Sequence, residues 1–338
     1  MQQNEIKAPA GLIDLAAERV GGQALHTSDE FFAEKENLLK PGRGIFIPDK
    51  FTDRGKWMDG WESRRKRTPG HDWCIIRLGL SGIVKTVDID TNHFLGNHPP
   101  FASIDGACVD SAASADELAN NASLWTEMLP KSPLNPGSQN VFEIDDTKRW
   151  THLRLNIYPD GGVARLRVYG TVIPDWNKYK PNELIDLAAV ENGGAVLIQS
   201  DMFFGSALNI LMPGTAANMG DGWETKRRRG PGYDWAIVKL GRAGIIKTIE
   251  VDTKHFKGNN PDECSIEWCY SPIGANVESL TSPAANWSTL LQRAKLQPDT
   301  KHVFEKELNN NVACTHLRLN IYPDGGVSRF RVWGVLKQ

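Results

Sequence analysis

The chain has 338 residues, enough for two domains with ample cores. Its 39 Lys and Arg against 41 Asp and Glu leave a formal net charge of −2, which argues against nucleic acid or an anionic membrane as the general partner. No stretch approaches the roughly 20 apolar residues of a membrane span, and the N-terminal MQQNEIKAPAGLIDLA lacks the basic-then-apolar plan of a secretion signal. Five cysteines without C-x-x-C spacing imply neither a disulfide framework nor a zinc knuckle, so a reduced, soluble, cytoplasmic protein is expected.

The first feature in chain order, Leu12–Phe32 (LIDLAAERVGGQALHTSDEFF), returns at Leu184–Phe204 as LIDLAAVENGGAVLIQSDMFF, 172 residues later. Asp59-Gly60-Trp61 returns only 162 residues later, as Asp221-Gly222-Trp223. The first copy therefore carries ten extra residues within Ala33–Met58, a loop rich in Gly, Pro and Lys. Trp73–Leu78 and Ile83–Ile89 are rich in Ile and Val, and the Gly-Leu-Ser-Gly between them predicts a hairpin. Asp116–Met128 is the one persuasive helix candidate, expected to decorate a connection. In Leu153–Tyr158 the apolar residues alternate with polar ones, as in a half-buried strand, and Pro-Asp-Gly-Gly turns the chain into a second alternating run, Val163–Tyr169.

Residues 151–170 recur at 315–334 with three differences, Ala164/Ser328, Leu166/Phe330 and Tyr169/Trp333, so the chain is a tandem duplication. The polar linker Pro174–Pro181 places the boundary near residue 175, giving domains 1–175 and 176–338. Short strands at this spacing predict an all-β protein of two tandem antiparallel β-sandwich domains of jelly-roll type.

Polar groups kept in both copies are the candidates for chemistry. Asp59 and Glu62, with Asp221 and Glu224, place two carboxyls three residues apart in a Gly-containing loop, a spacing that suits an acid–base pair or, as readily, turn capping. The basic runs that follow keep Arg65 and Arg227, whose guanidinium shape suits a carboxylate. Asp90-Thr91-Asn92-His93-Phe94 and Asp252-Thr253-Lys254-His255-Phe256 put His93 and His255 on loops after a strand, each followed by Asn97 or Asn259. Asp90 with His93 offers two ligands to Mn²⁺ or Zn²⁺, but the third is missing, so no metal residue is assigned and no cofactor is required. Alternation puts His152, Arg154, Asn156 and Tyr158 on one strand face, and His316, Arg318, Asn320 and Tyr322 repeat it as a candidate ligand-facing wall. No nucleophile elbow, Walker loop, Rossmann fingerprint or H-E-x-x-H is present.

These motifs together resemble the allantoicase (allantoate amidinohydrolase) family. The resemblance rests on DGWESRRKR and DGWETKRRR, on HDWCIIRLG with VDIDTNHFLGNHP, on YDWAIVKLG with IEVDTKHFKGNNP, and on the doubled THLRLNIYPDGGV. It runs from about Leu12 to Leu336 and implies two galactose-binding-like β-sandwich domains that convert allantoate and water to ureidoglycolate and urea, a step of allantoin and purine degradation. For that substrate, Arg65/Arg227 or Arg154/Arg318 suit the carboxylate and Asn156/Asn320 or Asn97/Asn259 the ureido groups. Glu62/Glu224 with His93/His255 are the expected acid–base pair, Asp59/Asp221 further catalytic candidates, and His152/His316 walls of the site. The competing class is a non-catalytic carbohydrate- or ligand-binding sandwich. One site or two per chain, and a homo-oligomer, stay open at this level.

Overall fold

A computed structural model describes residues 9–110, 113–271, 276–309 and 312–337. Two compact units meet between Ile173 and Pro174. The first contains β1 (Ile13–Asp14), β2 (Gln23–Thr27), β3 (Phe51–Thr52), β4 (Gly55–Lys56), β5 (Trp61–Glu62), β6 (Asp72–Asp90), β7 (Phe101–Ala107), β8 (Thr126–Pro133), β9 (Gln139–Glu143), β10 (Trp150–Tyr158), β11 (Gly162–Val163) and β12 (Arg165–Val172). The second contains β13 (Ile185–Asp186), β14 (Ala195–Gln199), β15 (Trp223–Glu224), β16 (Asp234–Asp252), β17 (Glu263–Cys269), β18 (Ser288–Lys295), β19 (Lys301–Phe304), β20 (Cys314–Tyr322), β21 (Gly326–Val327) and β22 (Arg329–Leu336). Short helices α1 (Ala115–Asn120) and α2 (Val277–Thr281) lie in equivalent connections.

The long strand β6 organises the first unit. Its first half pairs with β2 and β10, and β7 and β8 extend that layer beyond β10. Its second half pairs with β9 and β12, with β1 beyond β12. Two antiparallel layers thus share one strand, and β16 does the same in the second unit. The expected all-β architecture of two jelly-roll sandwiches is the architecture observed.

Two local expectations are corrected. The predicted hairpin over Trp73–Ile89 is one continuous strand, because Gly79 and Gly82 serve close packing rather than a turn. A Cβ on Gly79 would stand 2.4 Å from the Val20 carbonyl oxygen, and one on Gly82 would stand 2.2 Å from that of Thr171. The helix expected over Asp116–Met128 ends at Asn120, where a 3-10 turn over Ala122–Leu124 leads into β8. Ser114 caps that helix by accepting the Glu117 N–H, while Asn121 caps the following turn and so competes for continuation.

The alternation of β10 survives, but both of its faces are covered because the strand is central in its layer. Leu153, Leu155 and Ile157 are fully buried on one side, and His152 and Asn156 are buried on the other. Burying such aliphatic side chains contributes on the order of 1.5–3 kcal/mol each, which sustains a core in each unit without cross-links. All five cysteines are free; burial pushes the thiols of Cys264 and Cys314 up to about 12.

Candidate active site

The three repeated motifs converge on one buried ring. Phe94, fully buried, lies against Gly60 and Gly162, where an added Cβ would stand 2.8 Å and 2.0 Å from its ring. The loop after β6 is therefore keyed to both the Asp-Gly-Trp-Glu segment and the Pro-Asp-Gly-Gly turn. Gly162 N–H donates to the Asn97 carbonyl at 2.8 Å, and Ser63 N–H donates to the Gly161 carbonyl at 3.1 Å. Beside this junction β5 pairs with β11, Trp61 opposite Val163 and Glu62 opposite Gly162. Strand alternation sends Trp61 into the core, where its indole N–H donates to the Asp29 carbonyl at 2.8 Å, and turns Glu62 the other way. Phe256 repeats the arrangement against Gly222 and Gly326.

Glu62, His93 and Asn97 line an open pocket of about 340 Å³ together with Phe32, Phe46, Lys56 and Leu95. Asn97 donates its amide N–H to Glu62 Oε1 at 2.7 Å. Burial raises the pKa of Glu62 and outweighs that hydrogen bond, which lowers it. His93 holds a left-handed backbone (φ 67°) and stacks on Phe46 at 5.6 Å between ring centroids. A non-glycine residue there costs about 1–2 kcal/mol, and His255 repeats the conformation (φ 72°).

The remaining sequence candidates lie elsewhere. Asp59 is buried in an ion pair, its Oδ2 accepting from Arg165 Nη2 at 2.8 Å and from the Ile45 N–H at 2.9 Å. Asp221 meets Arg329 in the same way. Arg65 and Arg227 are exposed on their loops, and Arg65 does not line the pocket. Arg154 grips Asp105 Oδ2 through Nε and Nη2 and covers Trp125, while Arg318 lies 3.8 Å from Glu267. Asn156 donates to Ser103 and Asp105, and Asn320 to Ser265 and Glu267. His152 and His316 bond the neighbouring threonine hydroxyls, and burial lowers each pKa to about 4. The strand set His152–Asn156 is thus a network within the sheet, not a wall of this pocket. As for the Asp90–His93 metal pair, both Asp90 oxygens are taken by Arg43, Nε and Nη2 each at 2.8 Å, and among the described residues no cluster of three His, Cys, Asp or Glu is placed to hold a metal.

Phe46 and Lys56 were missed in the sequence because neither has a counterpart in the other copy. The signal that points to them is the length difference: the longer first copy contains the hairpin β3–β4, which carries Lys56, and Phe46 precedes it. In the second unit Asn259 donates to Glu224 Oε1 at 2.5 Å, but His255 is held from two sides. Its N–H donates to Asp299 Oδ1 at 2.7 Å, and Nε2 lies 2.9 Å from the Ala216 carbonyl oxygen.

A duplicated jelly-roll whose first unit carries a pocket bearing a carboxyl, an amide and an imidazole defines a two-repeat β-sandwich protein with a candidate site for a small ligand. The allantoicase repeat model matches residues 13–173 and again 185–337, and the chain belongs to the allantoicase family. It is 53% identical to a probable allantoicase 1 of Burkholderia mallei, over 96% of this chain and 94% of that one. It is 49% identical to the allantoicase of Dictyostelium discoideum, covering 94% of this chain and 86% of that one. The crystal structure of the Saccharomyces cerevisiae allantoicase superposes with a TM-score of 0.81 at 38% identity, covering 96% of this chain and 93% of that one.

Proposed function

We infer that this protein hydrolyses allantoate to ureidoglycolate and urea in purine degradation. Whole-length identity of about half to allantoicases of bacteria and Dictyostelium carries that reading over a non-catalytic binding sandwich. Within it, the pocket of the first unit supports a specific division of labour. Allantoate holds one carboxylate and two ureido groups on a single carbon. Glu62, as carboxylate, takes the N–H proton of the ureido group that stays, whose nitrogen pushes electrons to the central carbon. His93 delivers a proton to the departing nitrogen as the carbon–nitrogen bond breaks and urea leaves. Water then adds to the carbon of the resulting C=N bond, which regenerates the N–H and leaves ureidoglycolate. Asn97 keeps Glu62 oriented through the 2.7 Å bond.

The observation that carries the roles is a half-buried carboxyl of raised pKa sharing a small pocket with an exposed histidine. Arg43 holds both oxygens of Asp90, so Asp90 is given no role as a metal ligand. Unpaired cysteines support a reducing, cytoplasmic setting.

Incubating the pure protein with allantoate is expected to release urea and ureidoglycolate in equal amounts; no urea at any pH would refute the reading. The acidic limb of kcat/KM is expected above the ordinary glutamate range near about 4.3, because Glu62 must be ionised and its pKa is raised.

A further inference from the structure

Three charged or titratable side chains line the pocket: Glu62, His93 and Lys56. The first two are engaged in the chemistry inferred above. Lys56 sits on β4 at the edge of the hairpin, its Nζ 4.6 Å from the Phe46 ring centroid and 5.7 Å from that of Phe51. No acidic side chain is recorded in an ion pair with it among the described residues, whereas Arg154 is spent on Asp105 and Arg64 on Asp29. A substrate carboxylate entering this pocket therefore meets one permanent cation, and it is Lys56.

The second unit lacks this cation and its support. The segment Gly214–Asp221 is too short to form the hairpin, so Lys56 has no equivalent, although Met219 lies against Asn259 much as Met58 lines the pocket beside Asn97. Lys257 stands at the position of Leu95, but its charge faces Asp299 at 3.8 Å, the same carboxylate that holds the His255 backbone.

Resting on allantoate as the substrate, we propose that Lys56 is the carboxylate-binding, specificity-determining residue, and that the hairpin carrying it makes the first unit the only substrate site of the chain. A charge-assisted hydrogen bond to a carboxylate corresponds to about 10-fold or more in affinity. Lysine, as a flexible point charge, suits a carboxylate that must enter and leave.

The test is calorimetric titration into full-length Glu62→Gln, with and without Lys56→Met or Lys56→Arg, using allantoate and methylenediurea, which keeps both ureido groups and lacks the carboxylate. Expected are one allantoate per chain, a Kd weakened about 10-fold or more by Lys56→Met and largely restored by Lys56→Arg. Methylenediurea affinity should change less than about twofold, and thermal unfolding should be unaltered because the side chain is exposed. Two allantoates per chain, an unchanged Kd, or equal weakening of both ligands would overturn the proposal. Urea release by the parent protein is measured in parallel. Its absence removes the hydrolase reading, while a carboxylate-dependent Kd at one site per chain still supports Lys56 as the anchor.

Discussion

Asp59 and Glu62 lie three residues apart, and their surroundings give them different work. Asp59 faces a buried guanidinium, so its charge is matched inside the fold. Glu62 faces an amide and a pocket, so its charge is only partly satisfied. Asp59→Ala is expected to cost about 3–5 kcal/mol of stability by leaving Arg165 buried and unpaired, measured by denaturant unfolding, with kcat of the folded fraction near the parent value. A large fall in kcat at unchanged stability would return Asp59 to the chemistry. The sequence showed both carboxyls and both repeats of them, but not which one an arginine from more than 100 positions away would claim. His152 and His316 carry a second residue-scale consequence. Their folded pKa values, about 4, lie below the ordinary 6.5, so the unfolded chain binds more protons between those pH values. Stability should therefore fall as pH drops from about 6.5 to 4, by up to about 1.4 kcal/mol per unit per histidine, and His152→Gln should flatten that slope. An unchanged slope in the variant would show that His152 is not the group titrating.

At the scale of elements, glycine carried two meanings that local pattern does not separate. In Pro-Asp-Gly-Gly the turn reading holds, yet the second glycine of that run, Gly162, is also the seat of Phe94. In Gly-Leu-Ser-Gly the turn reading fails, because Gly79 lets β6 pass against the backbone of Val20 and Gly22. That contact joins segments far apart in sequence and leaves no periodic trace. Gly79→Ala is expected to destabilise by about 1–3 kcal/mol through overpacking, measured by thermal or denaturant unfolding. A hairpin turn there would tolerate alanine with little loss. The hairpin β3–β4 was legible only as an excess of length, since its pocket residue, Lys56, is not repeated.

For the whole molecule, duplication made the architecture readable: matched apolar runs located the strands twice, and the repeated turns located their ends. The same duplication made the chemistry harder to place, because groups that hold the fold are copied as faithfully as groups that act on a ligand. Arg154 and Asn156, bonded across to the neighbouring strand β7, and His152, buried beside Thr151, line no part of the pocket. The difference between repeats separates the two kinds better than their likeness does: the first unit has the inserted hairpin and an exposed His93, and the second has a shortened loop and a tethered His255.

The most direct measurement is urea release from allantoate by Glu62→Gln and Glu224→Gln side by side. Glu62→Gln should lower kcat about 100- to 10,000-fold, as expected for loss of a general base, while Glu224→Gln keeps the parent rate. Full turnover by Glu62→Gln, or a comparable loss in Glu224→Gln, would contradict an active site built in the first repeat.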